Sequence, residues 1–191
     1  MFKKIFKLSA LVMCMMLGMG GCGSDNTAPA HSKVKFEMED GTTFTVELYP
    51  EYAPKTVENF LQLVNSGFYN GLTFHRVVPG FVVQGGCPEG TGMGGSGKNV
   101  EGEFASNGYE GNTLSHKKGV ISMARANDPN SASSQFFICV DDASFLDGNY
   151  AAFGEVIEGY ENVEKIAAVK TDPNDKPMTP VVMKTVSVVT E

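Results

Sequence analysis

The sequence predicts a mainly β fold, an antiparallel barrel or sandwich with two helices packed on it. Three observations lead there. Eight short runs carry β-type residues or strict alternation, whereas only two stretches carry a helical period. Most of those runs follow one another with no helix between them, which argues against alternating βαβ units. Twenty-two Gly and nine Pro supply many turns.

The elements follow in chain order. In 33–39, KVKFEME, the residues Val34, Phe36 and Met38 alternate with charged neighbours. In 42–48, TTFTVEL, the residues Phe44, Val46 and Leu48 do the same. Asp40-Gly41 between them is a strong hairpin signal. From Pro54 to Ser66 the period changes. Val57, Phe60, Leu61 and Val64 fall at i, i+3, i+4 and i+7, one apolar stripe of a helix. Pro54 suits its first turn and Gly67 its stop. Short β-type runs then return at 72–78, 81–84, 119–125, 134–140, 150–157 and 181–189, with a second helix expected over 160–169.

The N-terminal stretch differs from the rest. Lys3, Lys4 and Lys7 precede an uncharged, largely apolar run from Leu8 to Met19, which ends in Gly20-Gly21-Cys22. The run has the length of a signal-peptide core and is short for a membrane-spanning helix. It resembles a bacterial lipoprotein signal, with Met19 where Leu is commoner. That resemblance implies cleavage after residue 21, lipid (palmitate among it) on Cys22, and an exported, membrane-anchored protein on the extracytoplasmic side. Two acyl chains anchor firmly where one is marginal. The same residues also fit a plain signal peptide or an uncleaved anchor. Residues 22–32 read as a flexible polar tether and 33–191 as the folded domain.

Setting aside Lys3, Lys4 and Lys7 leaves 12 basic against 22 acidic residues, a net charge of −10. Such an acidic domain is a poor candidate for nucleic-acid binding. Two glycine patterns in 90–99, GTGMGGSGKN, raise the question of a nucleotide. Gly90, Gly92 and Gly95 fit G-x-G-x-x-G, and Gly92, Gly97 and Lys98 fit most of a phosphate loop. Neither has a strand before it and a helix after it, and Asn99 stands where a phosphate loop needs Ser or Thr. No nucleotide is expected. His75 and His116 have no partners at metal-ligand spacing, so no metal is expected either. The serines lack a G-x-S-x-G elbow. Asp128, Asp141 and Asp142 do not fit a calcium loop and read as solvated. Cys87 and Cys139 are too few for a zinc motif, and their pairing stays open.

The densest cluster is 74–86, FHRVVPGFVVQGG. Strand alternation would put Phe74, Arg76 and Val78 on one face. An arginine in such company either meets a carboxylate or faces a ligand groove. Three further stretches favour the groove: 119–140, GVISMARANDPNSASSQFFICV; 145–150, FLDGNY; and 151–156, AAFGEV. Together they resemble the cyclophilins, peptidyl-prolyl cis-trans isomerases, in the bacterial form, from about Val34 to Thr190.

The resemblance implies a closed eight-stranded antiparallel β-barrel capped by two α-helices, with the groove on its outer face. It implies that Arg76 is catalytic. It implies that Phe81, Val82, Gln84, Ala124, Arg125, Gln135, Phe137, Phe145, Leu146 and Tyr150 bind substrate. Val82 is often Met in the family, and Arg125 replaces an Asn of many eukaryotic members. Phe145 stands where cyclosporin-sensitive members have Trp, and Tyr150 where they often have His, which implies weak cyclosporin binding. Cys87 stands where relatives often have Asp. The chemistry implied needs no cofactor, and its partners are proline-containing polypeptides. A chaperone-like module that holds proline segments is the rival reading, but pure binding has no use for Arg76. Nothing in the sequence calls for more than a monomer.

Overall fold

The computed structural model describes residues 31–189. The expected signal 1–21, the lipidation site Cys22 and most of the tether lie outside the described residues. Eight strands form one sheet: β1 (Ser32–Met38), β2 (Thr43–Leu48), β3 (Phe74–Val78), β4 (Val82–Gly85), β5 (Val120–Met123), β6 (Phe136–Cys139), β7 (Ala152–Glu158) and β8 (Met183–Val188). Among the described residues two helices accompany them, α1 (Pro54–Asn65) and α2 (Tyr160–Ala167), with short 3₁₀ turns at Ala105–Asn107 and Ser144–Leu146. Every strand pair is antiparallel, in the order β3-β4-β6-β5-β7-β2-β1-β8.

The expected closed barrel is corrected here. The sheet is a curled half-barrel whose edges, β3 and β8, do not form a ladder. They meet only where both strands begin, through the single bridge Thr73–Val182 and the bonds Gly71 N–H to Met183 O and Met183 N–H to Leu72 O. Farther along, the outer edge of β3 is covered by a loop. Phe74 N–H donates to Val181 O at 2.9 Å and Val77 N–H to Asp175 O at 2.8 Å. That loop contains Pro177 and Pro180. Proline has no N–H for a ladder, so the segment caps the edge without extending the sheet.

The core explains the alternation read in the sequence. Val34, Phe36, Met38, Phe44, Val46 and Leu48 are all buried. Phe36 and Phe44 stack across the β1–β2 pair at 4.6 Å. Gly41 takes φ +83° in the hairpin, and Asp40 Oδ1 accepts the Thr42 N–H. Helix α1 sends Val57, Phe60 and Val64 inward, with Leu61 partly buried against them. Phe60 meets Tyr69, Phe136 and Phe153 at 5.1–5.7 Å between ring centres. Helix α2 buries Val163 and Ile166, and Asn162 Nδ2 donates to Thr43 O.

The first turn of α1 is capped from a distance. Ala53 at its N-cap has no side-chain acceptor. Instead Glu103, 1% exposed, accepts the N–H groups of Lys55 and Thr56 and the Thr56 hydroxyl at 2.7–2.9 Å. A buried carboxylate so placed satisfies the orphan donors of a helix start and complements its dipole. Glu103→Ala is expected to lower the unfolding free energy by about 2–3 kcal/mol in urea titrations, since it strands buried donors. A change below about 0.5 kcal/mol would count against this role.

Candidate active site

Two packed clusters lie on opposite sides of the β4–β6 pair. Its register places Val83 opposite Ile138 and Gly85 opposite Phe136, all facing the core. Val82, Phe137 and Cys139 face the other way. They form a second small cluster with Ala143, flanked by Val78, Phe81, Ala124, Leu146 and Tyr150. This outward cluster floors an open cavity of about 200 Å³.

Nine of the expected site residues line that cavity. Arg76 and Gln84 form one side, Phe81, Val82 and Phe137 the floor, and Leu146 one end. Ala124, Arg125 and Tyr150 form the far wall. The two others lie beside it. Gln135 borders an adjoining cavity of about 420 Å³ that the glycine loop 92–97 helps to enclose. Phe145 is 71% exposed and stacks on Phe81 at 5.5 Å, on the rim and not in the pocket.

Arg76 reaches the groove through an irregularity. The β3–β4 register shifts between Phe74 and Arg76, leaving His75 as the extra residue. Phe74 and Val77 therefore enter the core while Arg76 and Val78 turn to the groove. The expectation that Phe74 and Arg76 share a face fails for this reason, since a bulge breaks the two-residue period. Arg76 is 40% exposed by side chain, and its internal partners are loose. Nη1 donates to Gln84 Oε1 at 3.4 Å, and Nε lies 3.6 Å from Asp175 Oδ2. A guanidinium carries five N–H donors, so several remain to face the cavity.

Behind Arg76 runs a tighter polar chain. Gln84 Nε2 donates to Gln135 Oε1 at 2.9 Å, and Gln135 Nε2 donates to both Gly92 O and Gly94 O at 2.8 Å. The glycine loop is thus a structural partner of the groove. At Gly86 a Cβ would sit 2.4 Å from Ser134 O, so the turn out of β4 admits only glycine. The same loop wraps Cys87. Burial would raise its thiol pKa, but the N–H groups of Gly94, Thr91, Glu89 and Gly92 outweigh burial and lower it. Cys139 is pushed up to about 12, chiefly by burial. Both thiols are free and buried. Among the described residues, no group of three or more His, Cys, Asp or Glu side chains is placed to hold a metal.

Sequence reasoning missed three features. Asp175 beside Arg76 sits 99 positions away on a loop, in the left-handed region at φ +64°. His75 is 7% exposed, and neither ring nitrogen has a hydrogen-bond partner. His116 is 1% exposed beneath the pocket floor, with its ring stacked on Phe137 at 6.0 Å. Its Nδ1 meets Asp147 Oδ1 at 2.8 Å and its Nε2 meets Ser122 Oγ at 2.9 Å. Asp147 also accepts from the Ser115 hydroxyl and the His116 N–H. These contacts have the order of a hydrolytic triad, but Ser122 is 0% exposed and no substrate carbonyl reaches it. Only the fixed tertiary fold brings these groups together, and no local spacing announces them. Of the carboxylates read as solvated, Asp128, Asp141 and Asp142 are exposed.

With this geometry in view, comparisons with known proteins agree among themselves. The family model described as cyclophilin type peptidyl-prolyl cis-trans isomerase/CLD matches residues 33–188. Peptidyl-prolyl cis-trans isomerase B of Bacillus subtilis is 51% identical over 126 residues, 66% of this chain and 84% of that one. Peptidyl-prolyl cis-trans isomerase-like 1 of Aspergillus fumigatus is 43% identical over 160 residues, 83% of this chain and 96% of that one. The crystal structure of a Cryptosporidium parvum cyclophilin type peptidyl-prolyl cis-trans isomerase superposes with a TM-score of 0.77 at 32% identity, covering 85% of this chain and 99% of that one. The same Cryptosporidium protein was also solved in the presence of the dipeptide ala-pro, and that structure superposes at 0.75.

The two buried imidazoles generate a pH dependence. Burial lowers the pKa of both His75 and His116; at His75 the polar groups of Thr73 and Gln135 partly oppose it while Arg76 and Lys176 add to it, and at His116 Asp147 only partly opposes it. At mildly acid pH the unfolded chain then binds more protons than the folded one. Stability is expected to rise with pH through about 6.5 and to be lost as pH falls below it. Urea midpoints at pH 7.5 and 5.5 should differ in that direction, and His75→Phe should narrow the gap. An unchanged gap in that variant would mean that His75 does not carry the effect.

Proposed function

Because the chain belongs to the family of cyclophilin-type peptidyl-prolyl cis-trans isomerases, it is an isomerase of Xaa-Pro bonds, and we propose that Arg76 supplies its catalytic electrostatics. The observation that carries this reading is a guanidinium with spare donors opening onto a small apolar cavity of about 200 Å³. The cavity is smaller than the roughly 300–1,000 Å³ of sites that enclose drug-sized ligands. It suits one proline ring with the flanking peptide lying outside.

The reaction breaks no σ bond. Its barrier of roughly 18–20 kcal/mol is the amide resonance lost on twisting. Uncatalysed, it takes tens to hundreds of seconds. In the twisted state the prolyl nitrogen becomes pyramidal and regains a lone pair. An Arg76 N–H aimed at that nitrogen finds an acceptor only then, so its hydrogen bond favours the transition state over either planar isomer. Arginine suits the task because it stays protonated and its donors are fixed in a plane. Phe81, Val82, Phe137 and Leu146 hold the ring. Gln84, Gln135 and the main chain of Ala124 and Arg125 hold the peptide, with Tyr150 in the far wall and Phe145 at the rim. No proton is transferred, so neither His75 nor His116 is needed as acid or base.

Differential stabilisation of about 3–4 kcal/mol corresponds to roughly 100- to 1,000-fold in rate. Arg76→Ala is expected to lower kcat by that factor in a protease-coupled assay on an Xaa-Pro peptide, with KM changed only a few-fold. Wild type and variant turning over equally fast would remove Arg76 from the mechanism.

We further propose that the enzyme acts outside the cytoplasm, anchored by lipid on Cys22, and assists the folding of exported proteins. What supports this is the order Lys3, Lys4 and Lys7, then the apolar run, then Gly20-Gly21-Cys22. Cys22→Ser should abolish incorporation of a fatty-acid label and release the protein from the membrane fraction. A Cys22→Ser protein that still sediments with membranes without label would refute the lipid anchor.

A further inference from the structure

We propose that Arg125 is a positioning residue, whose guanidinium clamps Tyr150 in place as one wall of the proline pocket. The proposal rests on the isomerase reading of the groove. Arg125 follows β5 on the far side of the cavity from Arg76 and is half-buried. Its Cζ lies 4.6 Å from the Tyr150 ring centre and 5.2 Å from that of Phe104. Phe104 is buried, so the cation stands between a fixed ring and a pocket ring.

The hydrogen bonds lock this arrangement. Nε and Nη2 both donate to Asn149 O, at 3.1 and 2.9 Å, and Nη1 donates to Ala126 O at 2.9 Å. The residue gripped by the fork is thus the immediate neighbour of the residue whose ring it faces. Tyr150 in turn meets Phe137 edge-on, 5.9 Å between centres at 82°. The linkage runs from a buried ring through a planar cation to the pocket wall and ends on the pocket floor. A guanidinium can donate in its plane while stacking on its faces, and an ammonium cannot.

Two consequences follow. First, three of the five guanidinium N–H donors, one on each nitrogen, already go to main-chain carbonyls, which fixes the plane of the fork against the Tyr150 ring. Second, a wall that touches the proline ring touches it in planar and twisted states alike. Such uniform binding affects KM and leaves kcat nearly alone. This separates Arg125 from Arg76, whose loss falls on kcat.

The experiment measures kcat and KM for the full chain and its Arg125→Met, Arg125→Lys, Tyr150→Leu and Arg125→Met/Tyr150→Leu variants. Two Xaa-Pro peptides serve as probes, one with Glu and one with Lys beside the prolyl bond. Arg125→Met is expected to raise KM about fivefold to tenfold for both peptides, with kcat within about twofold. Arg125→Lys should recover part of that loss, since it keeps the charge and loses the fork. The double variant should be no worse than Tyr150→Leu alone, which is the signature of one residue acting through the other. Thermal melts of each variant report folding separately. A loss confined to the Glu peptide would overturn the proposal in favour of direct charge contact. Multiplying effects in the double variant, or a fall in kcat that tracks a lowered melting temperature, would also overturn it. Wild-type turnover with an inactive Arg76→Ala variant would leave the isomerase reading standing in each of those cases.

Discussion

The register of β4 against β6 is the constraint on which the rest of the structure depends. Side chains alternate across a strand, so a slip of one residue would exchange the two faces. In the observed pairing Phe136 and Ile138 go to the core, where Phe136 meets Phe36, Phe60, Tyr69 and Phe74. Phe137 and Cys139 go outward and floor the pocket. The consecutive pair Phe136-Phe137 thus serves stability with one ring and the site with the next. The bulge at His75 performs the same division on β3, sending Phe74 inward and Arg76 outward. Apolar burial fixes the register, at roughly 1.5–3 kcal/mol for each buried large side chain, and the site's geometry follows from it.

That logic separates what could be read in the sequence from what could not. The β1–β2 hairpin, the apolar stripe of α1 and the succession of strands along the chain were legible because their signals are local. Alternation, helical period and Asp40-Gly41 each act over a few residues. The pocket residues were legible only as a resemblance, since an aromatic bound for the core and one bound for a groove look alike in a strand. The errors were also physical. The bulge at His75 defeats a two-residue period, and Pro177 with Pro180 keeps the sheet from closing on itself. Glu103, Asp147 and Asp175 stayed silent because each acts across the fold, Glu103 on a helix start 48 residues earlier.

The groove's polar side shows why its residues work as a set. Arg76 is held loosely, by contacts of 3.4 and 3.6 Å, whereas Gln84, Gln135 and the glycine loop are joined by bonds of 2.8–2.9 Å. The tight part supplies a rigid backing and the loose part keeps donors free for substrate. Preorganisation of this kind removes the reorganisation that solvent would otherwise require as charge shifts in the twisted amide. It also settles the glycine patterns at 90–97. The N–H groups of Gly90 and Gly92 turn to Cys87, and the carbonyls of Gly92 and Gly94 accept from Gln135. A phosphate needs converging N–H donors at a helix start, and residues 86–99 contain no helix.

Burial, more than the identity of the groups, decides which constellation a substrate can reach. Ser122, His116 and Asp147 touch in the order that activates a serine, at 2.8–2.9 Å. Yet Ser122 lies wholly inside and the imidazole backs Phe137. Its hydrogen bonds are spent on holding the pocket floor from below. Arg76 has poorer internal contacts and a simpler chemical repertoire, but it stands 40% exposed above an apolar floor. Isomerisation asks for no nucleophile and no proton, only for a donor that the substrate can reach as its amide twists. In the proposed mechanism the accessible arginine meets that demand, whereas the better-formed triad is sealed from substrate.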